Sequence, residues 1–367
     1  MATIKPILML VLFSGLMQSV FAANRLRYFS NVTEILNFTA AQNKCDENGG
    51  SLVTLYDQED ADFVLNLTKS IGDDNHSSYW LGLYKNLSAN ATWSNGDPFN
   101  GPGVHLEGGK QICMAIGNGT WMNFSCSDRK PFMCQKGKNY SLIEEEKNWC
   151  QALQYCRTHY TDLASVNTTR HDEELKQENT NKTYWIGLMH DEWKWDDNSC
   201  STYRNEANIA LEPNSSYSIL SWTTGFLWKS GERASLLCTK GHVRIKVINE
   251  PKTWEAAIEY CKAHHTRLLW IEDQEDQKAV EQWLRHTPVS GYTKSFWIAL
   301  KQSSVFGFWI WSDRIVNWNN WKDGTMPEAP LSEQCGVMDA GSFKWRDENC
   351  WHRLSFLCEE EIFYMDK

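Results

Sequence analysis

The chain has 367 residues, 42% of them hydrophobic and 13% aromatic, with twelve cysteines and a formal net charge of -10. That length suits two or three domains with packed cores. The acidic balance, with no basic stripe, excludes a binder of nucleic-acid backbones, because nothing offers cations to phosphate.

From the N-terminus, residues 1–22 read as a secretory signal: Lys5, then the apolar run "ILMLVLFSGLM", then Val20-Phe21-Ala22 as a small-residue cleavage site. The run is too short to anchor a mature protein across a bilayer, and no later stretch reaches spanning length without charges. The expected product is secreted and extracellular, with no membrane span. In a secreted chain, cysteines imply disulfides rather than zinc, and none here stands in a C-x-x-C pair.

One set of landmarks then recurs three times. A short helix ends at a cysteine in "NFTAAQNKC", "EKNWCQALQYC" and "PKTWEAAIEYC". Thr39 with Gln42 forms a capping box in the first; Asn148 and Thr253 cap the others. A small apolar strand and an amphipathic helix follow: "SLVTLYDQEDADFVLNL", "DLASVNTTRHDEELKQ" and "RLLWIEDQEDQKAVEQWL". Next come an aromatic strand ("YWLGL", "YWIGL", "FWIAL") and a Trp-led turn ("WSNG", "WDDN", "WSDR"). In the first and third repeats the last two cysteines are eight residues apart (126 to 134, 350 to 358), and a tryptophan lies five before the first of them. The joints "QKGK" and "TKGH" are too short to be flexible spacers.

These landmarks resemble the C-type lectin-like domain, over about residues 26 to 360. The resemblance implies an α+β fold in tandem: domain 1 at 26–136, domain 2 at 137–240 and domain 3 at 241–360, with a tail at 361–367. In each, two helices flank small antiparallel sheets beside a long irregular loop region. It further implies a bridge from first helix to last strand in every domain, Cys45–Cys134, Cys156–Cys238 and Cys261–Cys358, and inner bridges Cys113–Cys126 and Cys335–Cys350. A bridge closing about 90 residues contributes roughly 4 to 5 kcal/mol in the chain-entropy model. Domain 2 lacks the inner pair and leaves Cys150 and Cys200 over. Parity favours a bond between them; the rival is two free or intermolecular thiols.

Sugar-binding members of the family hold calcium and sugar through a Glu-Pro-Asn or Gln-Pro-Asp motif, a following glutamate and Trp-Asn-Asp. Calcium wants about six to eight oxygen ligands. Domain 1 has Gln111 at the glutamate position and Trp121-Met122-Asn123 at the last motif. Domain 2 keeps Glu212-Pro213-Asn214 but has Trp228-Lys229-Ser230, so Glu212 and Asn214 read as a remnant. Domain 3 offers Glu328, Glu333 and Asp347, with Arg346 where an asparagine would stand. Those three carboxylates are a weak candidate calcium site; the alternative is that Arg346 pairs with the acids and replaces the ion.

Sequons begin at Asn31, Asn37, Asn66, Asn75, Asn86, Asn90, Asn118, Asn123, Asn139, Asn167, Asn181 and Asn214, all before Cys238. Glycans on them would leave the last third bare. The recurring tryptophans Trp80, Trp185, Trp297, Trp93, Trp195 and Trp311 read as core; Trp309, Trp318 and Trp321 remain as candidate exposed contacts, Trp321 with a second reading as core. No phosphate-cradling loop, nucleophile elbow or metal-protease helix is present, and Asp273 with Glu275 reads as solvated charge on a helix. The expectation is a secreted recognition protein, not an enzyme. It needs no cofactor and binds a glycan, glycoprotein or protein ligand without calcium. Calcium-assisted carbohydrate binding through domain 3 is the alternative.

Overall fold

The computed structural model describes residues 24–72, 78–86, 91–99, 111–166, 182–204, 216–222, 225–229, 231, 233–288, 294–303, 307–312, 314–327 and 334–365. In chain order they form β1 (Tyr28–Leu36), α1 (Phe38–Glu47), β2 (Ser51–Leu52), α2 (Gln58–Ile71) and β3 (Ser78–Lys85). There follow β4 (Thr92–Trp93), β5 (Ile112–Gly117), β6 (Thr120–Phe124), β7 (Lys130–Lys136), β8 (Asn139–Lys147), α3 (Trp149–His159), β9 (Asp162–Leu163) and β10 (Tyr184–His190). Then come β11 (Trp193–Trp195), β12 (Tyr217–Ser221), β13 (Gly225–Lys229) and β14 (Ala234–Lys240). The last repeat holds β15 (Val243–Lys252), α4 (Trp254–His264), β16 (Arg267–Leu268), α5 (Gln274–His286), β17 (Ser295–Gln302), β18 (Trp309–Trp311), β19 (Arg314–Ile315), β20 (Gln334–Asp339), β21 (Trp345–Asn349) and β22 (Leu354–Glu361). The signal segment lies outside the described residues.

Three sheets result, and only the third is built from one repeat. There β15, the first strand, pairs with β22, the last, and β22 runs parallel to β17. In the first sheet β1 pairs with β14, and β14 runs parallel to β3. Its strands therefore come from the start of the first repeat and the end of the second. The second sheet is ordered β6-β5-β10-β7-β8 and lies wholly within 92–190. It joins the end of the first repeat to the start of the second. The molecule is thus an outer body (24–86 with 191–240), an inserted body (91–190) whose elements occur in permuted order, and a third unit that closes on itself.

The disulfides follow the exchange and correct two pairings expected from the resemblance. Cys45 is bonded to Cys238, not Cys134, and Cys134 to Cys156, which therefore does not reach Cys238. The rule of first helix to last strand still holds in space, with the strand supplied by the other repeat. Cys261–Cys358, Cys113–Cys126, Cys335–Cys350 and Cys150–Cys200 complete the set.

The physical cause lies at the first joint. The last strand of a unit needs a first strand beside it, and β8 follows β7 after a two-residue turn, Gly137-Lys138, with Lys136 opposite Asn139. Gly137 has φ +64°, the left-handed backbone that such hairpins require. Reaching back to β1 would close a loop of about ninety residues instead, roughly 3 kcal/mol dearer in chain entropy. Once β7 is taken, β1 finds its partner in β14.

The second joint does not fold back. Gly241 (φ +92°) passes so close to the N-terminal segment that a Cβ there would lie 2.3 Å from the Leu26 carbonyl oxygen. Around it Arg27 N donates to Val243 O at 2.8 Å and His242 N to Arg25 O at 3.1 Å. Gly241→Ala is expected to cost about 2 kcal/mol or more through strain and clash, read as a lower midpoint in thermal unfolding.

Helix starts follow short-range chemistry. Asn148 and Gln151 form a reciprocal capping box on α3, and Thr253 caps α4. The α1 cap is Asn37, accepting from Ala40 N, and not the Thr39–Gln42 box expected; Gln42 donates instead to Asp196 at 2.8 Å. Asp273 caps α5, and Glu275 pairs with Lys278 at 2.8 Å on the exposed face of that helix. The six recurring tryptophans are all buried. One of them in each body donates its indole N–H to the end of that body's first strand: Trp80 to Leu36 O, Trp185 to Lys147 O and Trp297 to Lys252 O.

The outer body and the third unit share one core, in which Phe63 of α2 stacks on Trp283 of α5 at 4.3 Å. The inserted body has cores of its own. Residues 362–365, expected as a tail, run between bodies: Cys200 N donates to Phe363 O at 2.7 Å and Met365 N to Asn198 O at 2.8 Å. No described helix is long and apolar enough to cross a membrane.

Candidate ligand-binding face of the third unit

The closing hairpin of the third unit carries Asp347, one of the residues to which the resemblance assigned a calcium role, and Arg346. Asp339 shapes its turn, accepting from Ser342 N at 2.8 Å and Gly341 N at 3.0 Å. Those N–H donors hold its carboxyl below the usual range. On β21 side chains alternate. Trp345 points inward, fully buried, its ring edge-on to Trp311, Trp318 and Trp321. Arg346 and Glu348 take the other side. The Arg346 guanidinium donates to Glu348 at 2.7 Å and to Ser295 Oγ at 3.0 Å. Partial burial raises the Glu348 pKa, but bonds from Arg346, Asn349 N–H and His352 outweigh it and the carboxyl stays low.

Arg346 is therefore engaged by Glu348 and Ser295. Of the candidate calcium ligands, Asp347 is half-buried on the Trp345 side of the strand, while Glu328 and Glu333 lie outside the described residues. Glu212 and Asn214 lie outside them too. Among the described residues, no three His, Cys, Asp or Glu side chains stand together as metal ligands. Of Glu328, Glu333 and Asp347, Asp347 alone stands among the described residues, on the side of β21 opposite Arg346.

Trp309 corrects the expectation of an exposed contact, while Trp321 takes its reading as a core residue. Trp309 and Trp321 are buried, with rings 4.9 Å apart, and Trp318 is half-buried against Trp345. Among the described residues the exposed tryptophan is Trp351, 64% accessible, in the turn after Cys350. The first repeat has Ser127 at the matching place, so a large aromatic after the penultimate cysteine was the available signal. Trp351 borders a shallow surface cleft with Thr253, Glu255, Lys301 and Cys350. Trp254 N donates to Cys350 O at 3.1 Å, tying the start of α4 to the inner disulfide. Lys301 lies 3.7 Å from Glu255 and 5.3 Å over the Trp254 ring. Across the sheet, Lys301 stands opposite Ile310, and Ile310 opposite Ile315, which is 68% exposed. Directly opposed residues share a face, so a cation and two isoleucines continue the row from Trp351.

Among the sequon asparagines, Asn31, Asn37, Asn66, Asn118, Asn123 and Asn139 are exposed and Asn86 is half-buried; Asn75, Asn90, Asn167, Asn181 and Asn214 lie outside the described residues. Asn37 caps α1 through Oδ1, leaving Nδ2 as the attachment atom. At Asn66 that nitrogen donates to His286 O at 3.0 Å, in the seam between α2 and α5.

The sequence profile described as "Lectin C-type domain" matches residues 34–136, 145–240 and 250–360. The chain belongs to the C-type lectin domain family. Its matched segments follow the repeats in sequence, whereas the first two C-type lectin bodies trade halves in space. The chain is 22% identical to the Bos taurus secretory phospholipase A2 receptor over 94% of its own length and 28% of the receptor's. It is 22% identical to Homo sapiens lymphocyte antigen 75 over 88% and 22% of the two chains. It thus spans less than a third of these relatives. The Culex quinquefasciatus C-type lectin mosGCTL-7 is 30% identical over 32% of this chain and 73% of its own. Among solved structures, human lithostathine aligns with 32% of this chain and 90% of its own, at 21% identity and a TM-score of 0.29. A tandem C-type lectin-like array of the mannose receptor type is a recognition protein, and nothing in it points to catalysis.

Proposed function

We propose that this chain is a secreted, extracellular recognition protein whose third unit binds a glycoprotein or protein ligand without calcium. The observation that carries the reading is Trp351, an exposed aromatic beside a cleft that mixes a carboxylate, an ammonium and a hydroxyl. Exposed tryptophans are frequent energetic centres of protein recognition. The sequons give it further support: all precede Cys238, so glycans would crowd the first two bodies and leave this face open. The Arg346–Glu348 pair supports the absence of calcium, because a guanidinium stands where an oxygen ligand would be needed.

The test uses the whole chain, because the third unit shares its core with the outer body. Calcium is titrated calorimetrically, and binding to immobilised serum glycoproteins, intact and enzymatically deglycosylated, is measured in calcium and in chelator. The expected result is no calcium heat, with binding that survives chelation and falls about 30-fold in Trp351→Ala, the size of a hot-spot loss. Calcium heat that disappears in Asp347→Ala would instead favour calcium-assisted carbohydrate binding through the third unit.

A further inference from the structure

Among the described residues, two places tie the inserted body to the rest of the molecule. The first is a stalk where the chain leaves and returns side by side: Asn86 N donates to Glu192 O at 2.7 Å, and Trp193 pairs with Lys85. The second lies at α3. Cys150 on that helix is bonded to Cys200 of the outer body. Beside the bond, Arg157 of the same helix donates to Tyr364 O at 2.9 Å and Met365 O at 3.0 Å. Phe363 and Met365 pack on the cluster that contains Cys150 and Cys200. The strap 362–365 is thus held by the outer segment 198–200 on one side and by the inserted body on the other.

The inserted body's sheet closes within 92–190 without either element, although Cys200, Phe363 and Met365 pack on its core. Cys113–Cys126 and Cys134–Cys156 lie inside that body. The outer body and third unit form a block through their common core. Cys150 and Cys200 are 6% and 9% accessible, whereas every other bridge has at least one sulfur-bearing residue at 0%. Access to a reductant governs the rate of thiol–disulfide exchange, and Cys200 is the most accessible of the bridged cysteines, ahead of Cys350 at 7%.

We propose that Cys150–Cys200 and the 362–365 strap form a reduction-sensitive latch that holds the inserted, sequon-bearing body against the block, and that opening it lets this body pivot on its stalk without unfolding. A dithiol supplies the two electrons. It is oxidised to its own disulfide while Cys150 and Cys200 each gain a proton and become thiols. The proposal is independent of the ligand reading above.

The experiment treats the whole oxidised chain with limiting dithiothreitol, then maps alkylated cysteines by mass spectrometry and amide exchange by segment. Cys150 and Cys200 are expected to be alkylated before any other pair. Residues 198–200 and 362–365 then lose exchange protection, β5, β7 and β10 keep theirs, and the radius of gyration rises. Earlier alkylation of another pair overturns the redox part. Loss of protection in β5, β7 and β10 together with the latch makes the bridge a staple of the fold and overturns the pivot, as does unchanged protection at 198–200 and 362–365. A second variant, Phe363→Ala with Met365→Ala, keeps every cysteine. It is expected to speed reduction of Cys150–Cys200 alone, and unchanged rates would remove the strap from the latch.

Discussion

A polypeptide cut to residues 91–190, with Cys150→Ser to remove its outside partner, is expected to fold alone, although it contains no complete repeat. Its sheet needs no strand from elsewhere, and its buried residues include Trp149, Trp185, Phe132 and Leu163 packed with the Cys134–Cys156 bridge. A domain of about a hundred residues with its own core and two disulfides can reach a stability on the order of 5 kcal/mol. The expected observations are one cooperative thermal transition, the bridges Cys113–Cys126 and Cys134–Cys156, and two-state denaturant unfolding. Peptide mapping of the whole chain is the companion measurement and should recover Cys45–Cys238. Recovery of Cys45–Cys134 with an unfolded 91–190 fragment would mean that each repeat closes on itself, and the exchanged architecture would fall.

The contrast between what could be read from the residues and what could not has a physical origin. Repeat landmarks, core tryptophans and the membership of the bridges are local patterns: Trp80, Trp185 and Trp297 sit in the same strand context three times and make the same indole bond. The partner of each last strand is not a local property. β1, β8 and β15 are interchangeable as first strands, so no residue in β7 says which it will choose. The choice rests on a two-residue turn at Gly137 and on loop-closure entropy, quantities that compare alternative chain paths. Tryptophan density is no guide to exposure, because Trp309, Trp321 and Trp345 make their segments dense by packing on one another, whereas the exposed Trp351 lies in a turn. The strap at 362–365 leaves no mark in the residue pattern because its bonds run through backbone carbonyls, which carry no residue-type signal.

Arg244→Met is expected to loosen the third unit from the outer body by about 3–5 kcal/mol, the usual cost of leaving buried charges without their partner. Arg244, on β15, reaches Asp57 at 2.6 Å, Asp60 at 3.2 Å and Glu360 at 2.6 Å, and only 8% of its side chain is exposed. Lys246 joins it, 2.6 Å from Asp57 and 2.7 Å from Glu59, and Arg27 reaches Asp60 from the N-terminal segment at 3.0 Å. The acids sit at the start of α2, where the helix dipole also favours negative charge. Burial lowers the Arg244 pKa, but the charges of Asp60, Glu360 and Asp57 overcome it and hold the guanidinium protonated. Burial likewise raises Asp57 and Glu360, yet the surrounding cations carry both carboxyls below their ordinary range.

The sign of the pH dependence follows. A depressed carboxyl contributes stability that is complete above its unfolded pKa of about 4 and is lost as pH falls through the folded value. Glu359 runs the other way. Burial raises its pKa despite Arg25 and Arg267, so its contribution is present below about 4.3 and lost as pH rises; the residue is common to both proteins, so to first order it drops out of their difference. Without Arg244, Asp57 and Glu360 lose a main source of their depression and protonate more readily in the folded state. Denaturant titrations of wild type and Arg244→Met at pH 7 and pH 4 should therefore show the gap between them narrowing on acidification. A gap that is constant with pH would assign the loss to the stacking of the guanidinium on the Tyr56 ring, whose centroid lies 4.8 Å from its carbon, and not to the carboxylates. Adding Asp60→Asn separates the two further: it should cost less in the Arg244→Met background than in wild type, because Arg27 is then the one cation left on Asp60 among the described residues.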